Sequence, residues 1–226
     1  MTQVTDAQPA YSGQFFITSK IHPTNPFYPK MEAMGGQGAM IIMGDGKHMF
    51  NGRQGDGHYR IDIGLKGPEE FANNAINHSD FDAAKKFLLQ EQHFGSYAPQ
   101  FRDIIQQSEG PFRPWLMYYM PTDRLNWKPA RDVTLIGDGA HVTTPFVGDG
   151  VNCAMRDSCI LAEKIKELGV TQEAIAAYEK ETFPYAIDVI TRSLQSGKMF
   201  FADDGPKEFL HVMTSGNPLI GASDGS

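Results

Sequence analysis

The feature that most constrains the fold is a short apolar run that ends in a glycine-rich loop. Residues 133–136 (Val-Thr-Leu-Ile) precede Gly137 and Asp138, a loop rich in glycine and proline follows, and an amphipathic pattern begins at Val151. This order predicts a strand, a loop and a helix N-terminus. Such a junction places free N–H groups and the positive end of a helix dipole beside a carboxylate. It can hold an electron-rich ring with an adjacent polyol, although a plain turn with a helix cap is the simpler alternative.

The whole motif carries a resemblance to a known family. Residues 137–152 are Gly-Asp-Gly-Ala-His, a spacer of three residues, and Pro-Phe-Val-Gly-Asp-Gly-Val-Asn. This resembles the second flavin fingerprint of the FAD-dependent aromatic hydroxylases, the single-component flavoprotein monooxygenases. From about Ser12 to about Phe201, the order of elements is similar to the tetracycline-inactivating and fungal polyketide monooxygenases. The resemblance implies an FAD- and NAD(P)H-dependent monooxygenase acting on an aromatic or polyketide-like small molecule.

The resemblance also implies a flavin site within the motif. Asp138 would accept hydrogen bonds from the ribityl hydroxyls, because charge-assisted bonds to hydroxyl groups are short and directional. The loop glycines would allow a flat ring to approach the backbone, and the helix dipole would stabilise the anionic reduced ring. Asp149, where the family has Gln or Glu, would oppose that anion unless it points to solvent. The residues expected to bind the cofactor are Gly137, Asp138, Pro145, Gly148, Gly150, Val151 and Asn152.

The sequence lacks the G-x-G-x-x-G turn that binds the ADP half of FAD in that family. Its early glycine cluster, residues 35–38, leads into an apolar run that is too short for the required helix. We therefore interpret the chain as the C-terminal part of such a monooxygenase. FAD is expected to bind weakly or not at all to the isolated chain. A second polypeptide or self-association is expected to cover the surface that the missing domain would bury.

Two other functions stay open from the sequence alone. The chain could use the substrate domain without flavin, as an isomerase, a cyclase or a small-molecule-binding protein. It could also be an inactive truncated product. The colour of the purified protein separates these alternatives from a flavoprotein, since oxidised flavin absorbs at roughly 450 nm.

The composition, with 41% hydrophobic and 21% charged residues, is that of an ordinary globular protein. The net charge of −7 argues against nucleic acids and anionic membranes as partners. No apolar run approaches the ~20 residues that cross a bilayer, and the N-terminus lacks signal-like features. Cys153 and Cys159 lie on different sides of one predicted helix and should not pair. Unpaired cysteines are typical of a reducing compartment, so a cytoplasmic location is expected. The scattered histidines predict no metal site.

The predicted fold class is α+β, with an antiparallel substrate-domain sheet, helices, the remnant of an FAD-binding α/β domain and C-terminal helices. The expected domains are a substrate-binding sheet over 1–125, the flavin-binding remnant over 126–215 and a flexible tail over 216–226. Strands are expected over Gln14–Ile21, Ala39–Met43, Lys47–Asn51, His58–Lys66 and Trp115–Met120. Helices are expected over 68–76, 80–92, 98–107, 151–168 and 171–201.

Methionines are concentrated in the predicted sheet. Because Met adapts to irregular apolar surfaces, a sheet face lined by it could hold a bulky aromatic substrate, and core packing is the other explanation. Phe16, Met40 and Met43 are the candidate substrate-binding residues. No Ser/His/Asp or Cys/His arrangement stands out, so no catalytic residue is assigned.

Overall fold

The computed structural model describes residues 4–70 and 80–215. The chain divides into two compact units. We call residues 13–116 with 199–209 the sheet unit, and residues 4–12, 117–198 and 210–215 the motif unit. The helix expected over 68–76 falls mostly outside the described residues, and the tail expected over 216–226 falls entirely outside them.

Five strands form one sheet in the order β2-β3-β4-β1-β5, and the pairs β1–β4, β3–β4 and β2–β3 are antiparallel. The α+β prediction is confirmed. The hairpin between β2 and β3 turns at Asp45 and Gly46, which both have positive φ as a type I′ turn requires. The strands are β1 (Ala10–Ile21), β2 (Ala39–Gly44), β3 (Lys47–Arg53), β4 (Tyr59–Lys66) and β5 (Glu109–Tyr119).

Helices of the sheet unit complete its apolar core. They are α1 (Tyr28–Gly35), α2 (Phe81–Leu88), a π-helical turn (Glu91–Gly95) and α3 (Pro99–Gln107). Asp80 caps α2, since its side chain accepts a hydrogen bond from Ala83 N at 3.0 Å. α1 begins at Tyr28 with Pro29 in its first turn, where proline is favourable because its missing N–H has no helical partner.

The motif unit is mainly helical. Its elements are α4 (Asp138–His141), α5 (Gly150–Leu168), most of α6 (Gln172–Phe200) and the end of α7 (Gly205–Ser215). Both cysteines lie on α5 and are unpaired, as expected, with Cys153 buried and Cys159 exposed.

The strand predicted over 133–136 is not formed. The segment is held by side chains of α6 in place of a β ladder. Thr134 Oγ1 donates to Glu179 Oε1 at 2.8 Å, and the Tyr178 hydroxyl donates to Leu135 O at 3.0 Å. An apolar run without a neighbouring strand cannot make ladder hydrogen bonds, so its backbone groups take other partners.

Candidate functional site

The motif turns sharply twice, and a glycine permits each turn. Gly137 has φ +57°, and a Cβ there would lie 3.1 Å from the Cβ of Ala154 on α5. Gly148 has φ +73° and ends a 3₁₀ turn over Pro145–Val147. Residues with a side chain rarely adopt these conformations. The two glycines therefore bring α4 and the loop against the N-terminal half of α5.

A buried carboxylate on α5 holds the first turn in place through hydrogen bonds. Asp157 Oδ2 accepts a hydrogen bond from Gly137 N at 2.7 Å and another from His141 Nε2 at 2.6 Å. The side chains of His141 and Asp157 are only 3% and 1% exposed. Burial is the largest single influence on the pKa of His141 and lowers it, but the hydrogen bonds to Asp157 and Cys153, with the charges of these two groups, together outweigh it and raise the pKa to about 10. The ring is therefore charged at neutral pH, and this ion pair fixes the backbone on both sides of Asp138.

The second turn is anchored to α6. Ser193 Oγ donates to Thr144 O at 2.5 Å, and the two hydroxyl oxygens lie 2.7 Å apart. Both residues are buried. These bonds hold the residue that precedes Pro145, so the 3₁₀ turn has a defined position relative to α6.

Between the two turns lies a cavity of about 460 Å³. This volume is within the usual range of small-molecule sites, roughly 300–1,000 Å³. Five residues predicted from the sequence line it, namely Asp138, Pro145, Gly148, Gly150 and Val151. Three further residues that the motif did not predict also line it, namely Thr143, Thr144 and Ala154. The threonines lie between the two recognised halves of the motif, and that position is the signal that could have identified them.

The other two predicted residues have different surroundings. Gly137 is buried in the turn that precedes Asp138 and does not line the cavity. Asn152 is exposed, and its side-chain amide donates to Asp149 Oδ1 at 3.3 Å. The structure therefore brings five of the seven predicted residues to one cavity, and it gives these two supporting positions around it.

The cavity has the donor and acceptor groups that a flavin needs. The first N–H that bonds within α5 is that of Cys153, to Asp149 O at 2.8 Å, so the N–H groups of residues 150–152 precede the helical ladder. With the helix dipole they favour an electron-rich group at this end of the cavity. The exposed carboxylate of Asp138 supplies an acceptor for hydroxyl groups. The residues present fit a flavin ring with its ribityl chain.

Asp138 also borders a second cavity of the motif unit, of about 440 Å³, together with Pro9, Tyr118 and Val142. The ring of Tyr118 lies against that of Tyr11, with centroids 5.7 Å apart. This second cavity is lined mainly by apolar groups. One carboxylate thus stands between a cavity with glycine backbone and one with an aromatic wall.

The candidate substrate residues lie on opposite faces of the sheet. Phe16 and Met43 lie in one row across four strands, together with Gly64 and His48. Met40 pairs with Asn51 and lies on the other face, where it packs against the apolar core. A pocket on one face cannot include all three. Their role in substrate binding stays a prediction, and only Phe16 and Met43 can act together.

A larger cavity, of about 1,030 Å³, lies in the sheet unit and shares no residue with the motif. Its walls include Lys20, Lys85, Asp80, Asp82 and Glu109, a mixture of charges with no common preference for one ligand. We therefore base the site on the smaller cavity, where backbone geometry and a carboxylate point to one ligand class. Across residues 4–70 and 80–215, no cluster of His, Cys, Asp and Glu is arranged as a metal site. Within the same residues, no helix is long and apolar enough to cross a bilayer.

Comparison with known proteins agrees with this geometry. Residues 122–193 match the family model described as FAD binding domain. Monooxygenase penA of Penicillium thymicola is 24% identical over 92% of this chain and 58% of its own length. Kynurenine 3-monooxygenase of Stenotrophomonas maltophilia is 36% identical over 37% of this chain and 18% of its own length. The chain thus spans little more than half the length of penA. These matches confirm the predicted resemblance to FAD-dependent hydroxylase-type monooxygenases.

Solved structures show the same fold. Klebsiella pneumoniae HpxO complexed with FAD and uric acid has a TM-score of 0.68 and 18% identity, over 92% of this chain and 50% of that one. The tetracycline destructase Tet(55) has a TM-score of 0.66 and 17% identity, over 93% of this chain and 53% of that one. The match to the FAD binding domain and the monooxygenase relatives do not favour the flavin-free alternatives.

Proposed function

Because the chain is related to FAD-dependent monooxygenases, we propose that it supplies the ring- and ribityl-binding part of one. The cofactor would be FAD, the reductant NAD(P)H, and the substrate an aromatic or polyketide-like small molecule. The observation that carries the proposal is the cavity of the motif unit, where Asp138, Pro145 and the loop glycines meet the N-terminus of α5. The proposed substrate class rests on relatives such as the 3-amino-4-hydroxybenzoate 2-monooxygenase PtnB3 of Streptomyces platensis, whose name gives an aromatic acid as its substrate.

The residues of this chain would bind and orient the cofactor. Asp138 would accept hydrogen bonds from the ribityl hydroxyls. The N–H groups of residues 150–152 would donate to the electron-rich edge of the ring, in line with the α5 dipole. Gly148 and Gly150 leave room for close approach, and Pro145, which also lines the cavity, restricts the conformation of the loop through its fixed φ. When bound, FAD supplies the redox chemistry, with NAD(P)H as the electron donor.

Asp138→Ala is expected to weaken flavin binding by about 1–3 kcal/mol, the scale of hydrogen bonds to a charged group. The measurement is a fluorescence-quenching titration of the purified chain with riboflavin and with FAD. Asp123→Ala is the matched control, since it removes an exposed carboxylate elsewhere in the motif unit. Equal affinities of Asp138→Ala and the parent chain would remove Asp138 from the site.

We also propose that a second polypeptide carrying a G-x-G-x-x-G turn, or a second copy of this chain, covers part of the motif unit. Val151 and Met155 are one turn apart on α5 and are 72% and 56% exposed. Ile136, next to the turn that packs on α5, is 46% exposed. Exposed apolar side chains this close together are typical of an interface.

The isolated chain is therefore expected to sediment as a dimer or to aggregate, and to bind free FAD only weakly. Replacement of Val151 and Met155 by Lys should shift it towards monomer in analytical ultracentrifugation. Val170→Lys is the matched control, since Val170 is 92% exposed but lies beyond the C-terminal end of α5, far along the chain from Val151 and Met155. A parent chain that is a clean monomer with stoichiometric FAD would contradict this proposal.

A further inference from the structure

Asp149 occupies the N-cap position of α5 but does not cap the helix. An N-cap aspartate usually has extended backbone angles and accepts a hydrogen bond from an N–H group of the first turn. Asp149 has φ −94° and ψ −2°, and its side chain makes no capping hydrogen bond. The helix therefore begins with its donors uncapped, although a suitable carboxylate stands directly beside them.

An arginine on α6 holds this carboxylate. Asp149 Oδ2 lies 3.3 Å from Arg192 Nη2, and the side chains are only 15% and 14% exposed. Arg192 is itself fixed by Asp188, one turn earlier on α6, through an Nε–Oδ2 contact of 2.8 Å. The guanidinium thus has a defined position, from which it competes with the helix N-terminus for Asp149.

The Arg192–Asp149 ion pair explains how the site tolerates a carboxylate at this position. Asp149 does not line the 460 Å³ cavity, although both neighbouring glycines do. A free carboxylate would be drawn to the N–H groups of the first turn and to the positive end of the helix dipole. There it would occupy the donors that an electron-rich ligand needs, and it would repel an anionic ring.

We propose that Arg192 is a positioning residue for flavin binding. It holds Asp149 away from the N-terminus of α5 and thereby keeps the N–H groups of residues 150–152 available to the ring. The inference rests on the proposed function of the motif unit as a flavin site. It assigns a role to a residue outside the recognised motif, 43 positions along the chain from its partner.

The test is a cycle of variants titrated with riboflavin, which carries the ring and the ribityl chain. Arg192→Gln should weaken riboflavin binding about tenfold, because the freed Asp149 caps the helix. Asp149→Ala should bind like the parent chain, because the side chain removed makes no cap. The double variant should also bind like the parent chain. Arg192→Lys, which keeps the cation but not the forked geometry, should show a smaller loss that Asp149→Ala also abolishes.

The pattern separates positioning from a general structural role. If Arg192 only stabilised the fold, the double variant would bind at least as weakly as Arg192→Gln, and that result would overturn the inference. Equal binding by Arg192→Gln and the parent chain would overturn it as well, while the flavin site would stand. A parent chain that does not bind riboflavin at all would instead remove the proposed function and this inference with it. Should Arg192→Gln fold poorly by circular dichroism, the Lys variants test the same coupling.

Discussion

Asp157→Asn is expected to lower the free energy of unfolding of the motif unit by about 3–5 kcal/mol, the usual cost of breaking a buried ion pair by removing one partner. Asp157 accepts hydrogen bonds from Gly137 N and His141 Nε2, and it is 1% exposed. An amide in its place cannot balance the charge of His141. The turn that presents Asp138 would lose its support at the same time, so flavin affinity should fall with stability.

Urea unfolding of the motif unit can be followed by Trp127, which packs against Phe183 with ring centroids 4.6 Å apart. Trp115→Phe removes the other tryptophan, which lies in the sheet unit. Glu163→Gln makes the same acid-to-amide change at an exposed position of α5, and little loss is expected there. A loss of less than about 1 kcal/mol for Asp157→Asn, the size of an exposed pair, would show that the buried pair is not what holds the turn.

The stability lost in Asp157→Asn should depend on pH, because it comes from the His141–Asp157 ion pair. The pKa of His141 is raised from 6.5 to about 10. The contribution of the His141–Asp157 ion pair to the free energy of unfolding is therefore fully present below pH 6.5 and is lost as pH rises towards 10. The difference in stability between the parent chain and Asp157→Asn should therefore be largest near pH 6 and should shrink at alkaline pH.

The second large effect concerns acid stability of the sheet unit. His48 is buried in its ring-lined site, and burial lowers its pKa from 6.5 to about 4. The rings of Phe16, Phe200 and Phe201 lie 5.3, 5.4 and 4.6 Å from it. The unfolded chain binds a proton at His48 below pH 6.5, whereas the folded chain does so only near pH 4. The contribution of His48 to the free energy of unfolding is thus fully present above pH 6.5, and the free energy of unfolding falls by about 3 kcal/mol between pH 6.5 and 4.

His48→Gln should remove this part of the acid sensitivity. The measurement is the free energy of unfolding in urea at several pH values between 7.5 and 4, for the parent chain and the variant. The free energy of unfolding of the parent chain minus that of the variant should fall by about 3 kcal/mol from pH 7.5 to pH 4, whatever the packing cost of the substitution. His22→Gln controls for the loss of one histidine, since His22 is exposed in the same unit. Parallel pH curves for parent and His48→Gln would contradict the prediction.

Local patterns accounted for most of the sheet and for the position of the site. The strands expected over His58–Lys66, Ala39–Met43 and Lys47–Asn51 depend mainly on neighbouring residues, and all three are found. Because Asp62 and Gly64 are buried as well as the apolar residues, β4 is covered on both faces. The prediction of a strand over 133–136 was wrong. A strand requires a neighbouring strand as its hydrogen-bonding partner, and the pattern of one segment cannot show whether that partner exists.

The sequence alone also could not show on which face of the sheet each candidate substrate residue lies. Phe16, Met40 and Met43 are all apolar sheet residues, and composition alone treats them alike. The register of β2 on β3 places Met43 opposite His48 and Met40 opposite Asn51, on opposite faces. Since successive residues of a strand alternate between faces, only the pairing of the strands decides which of them share a surface.

The sequence by itself determined the turns of the motif, its cavity-lining glycines and the carboxylate of Asp138, because tight turns and helix starts restrict the residues at each position. The tertiary structure alone decided how that motif is held. Asp157 supports Gly137 from 20 positions away, and Arg192 binds Asp149 from 43 positions away. Such partners meet only when α5 packs against the turn at Gly137 and α6 packs near the start of α5, so no local pattern predicts them. The donors that would bind a flavin are set by backbone geometry, and their availability depends on these long-range ion pairs.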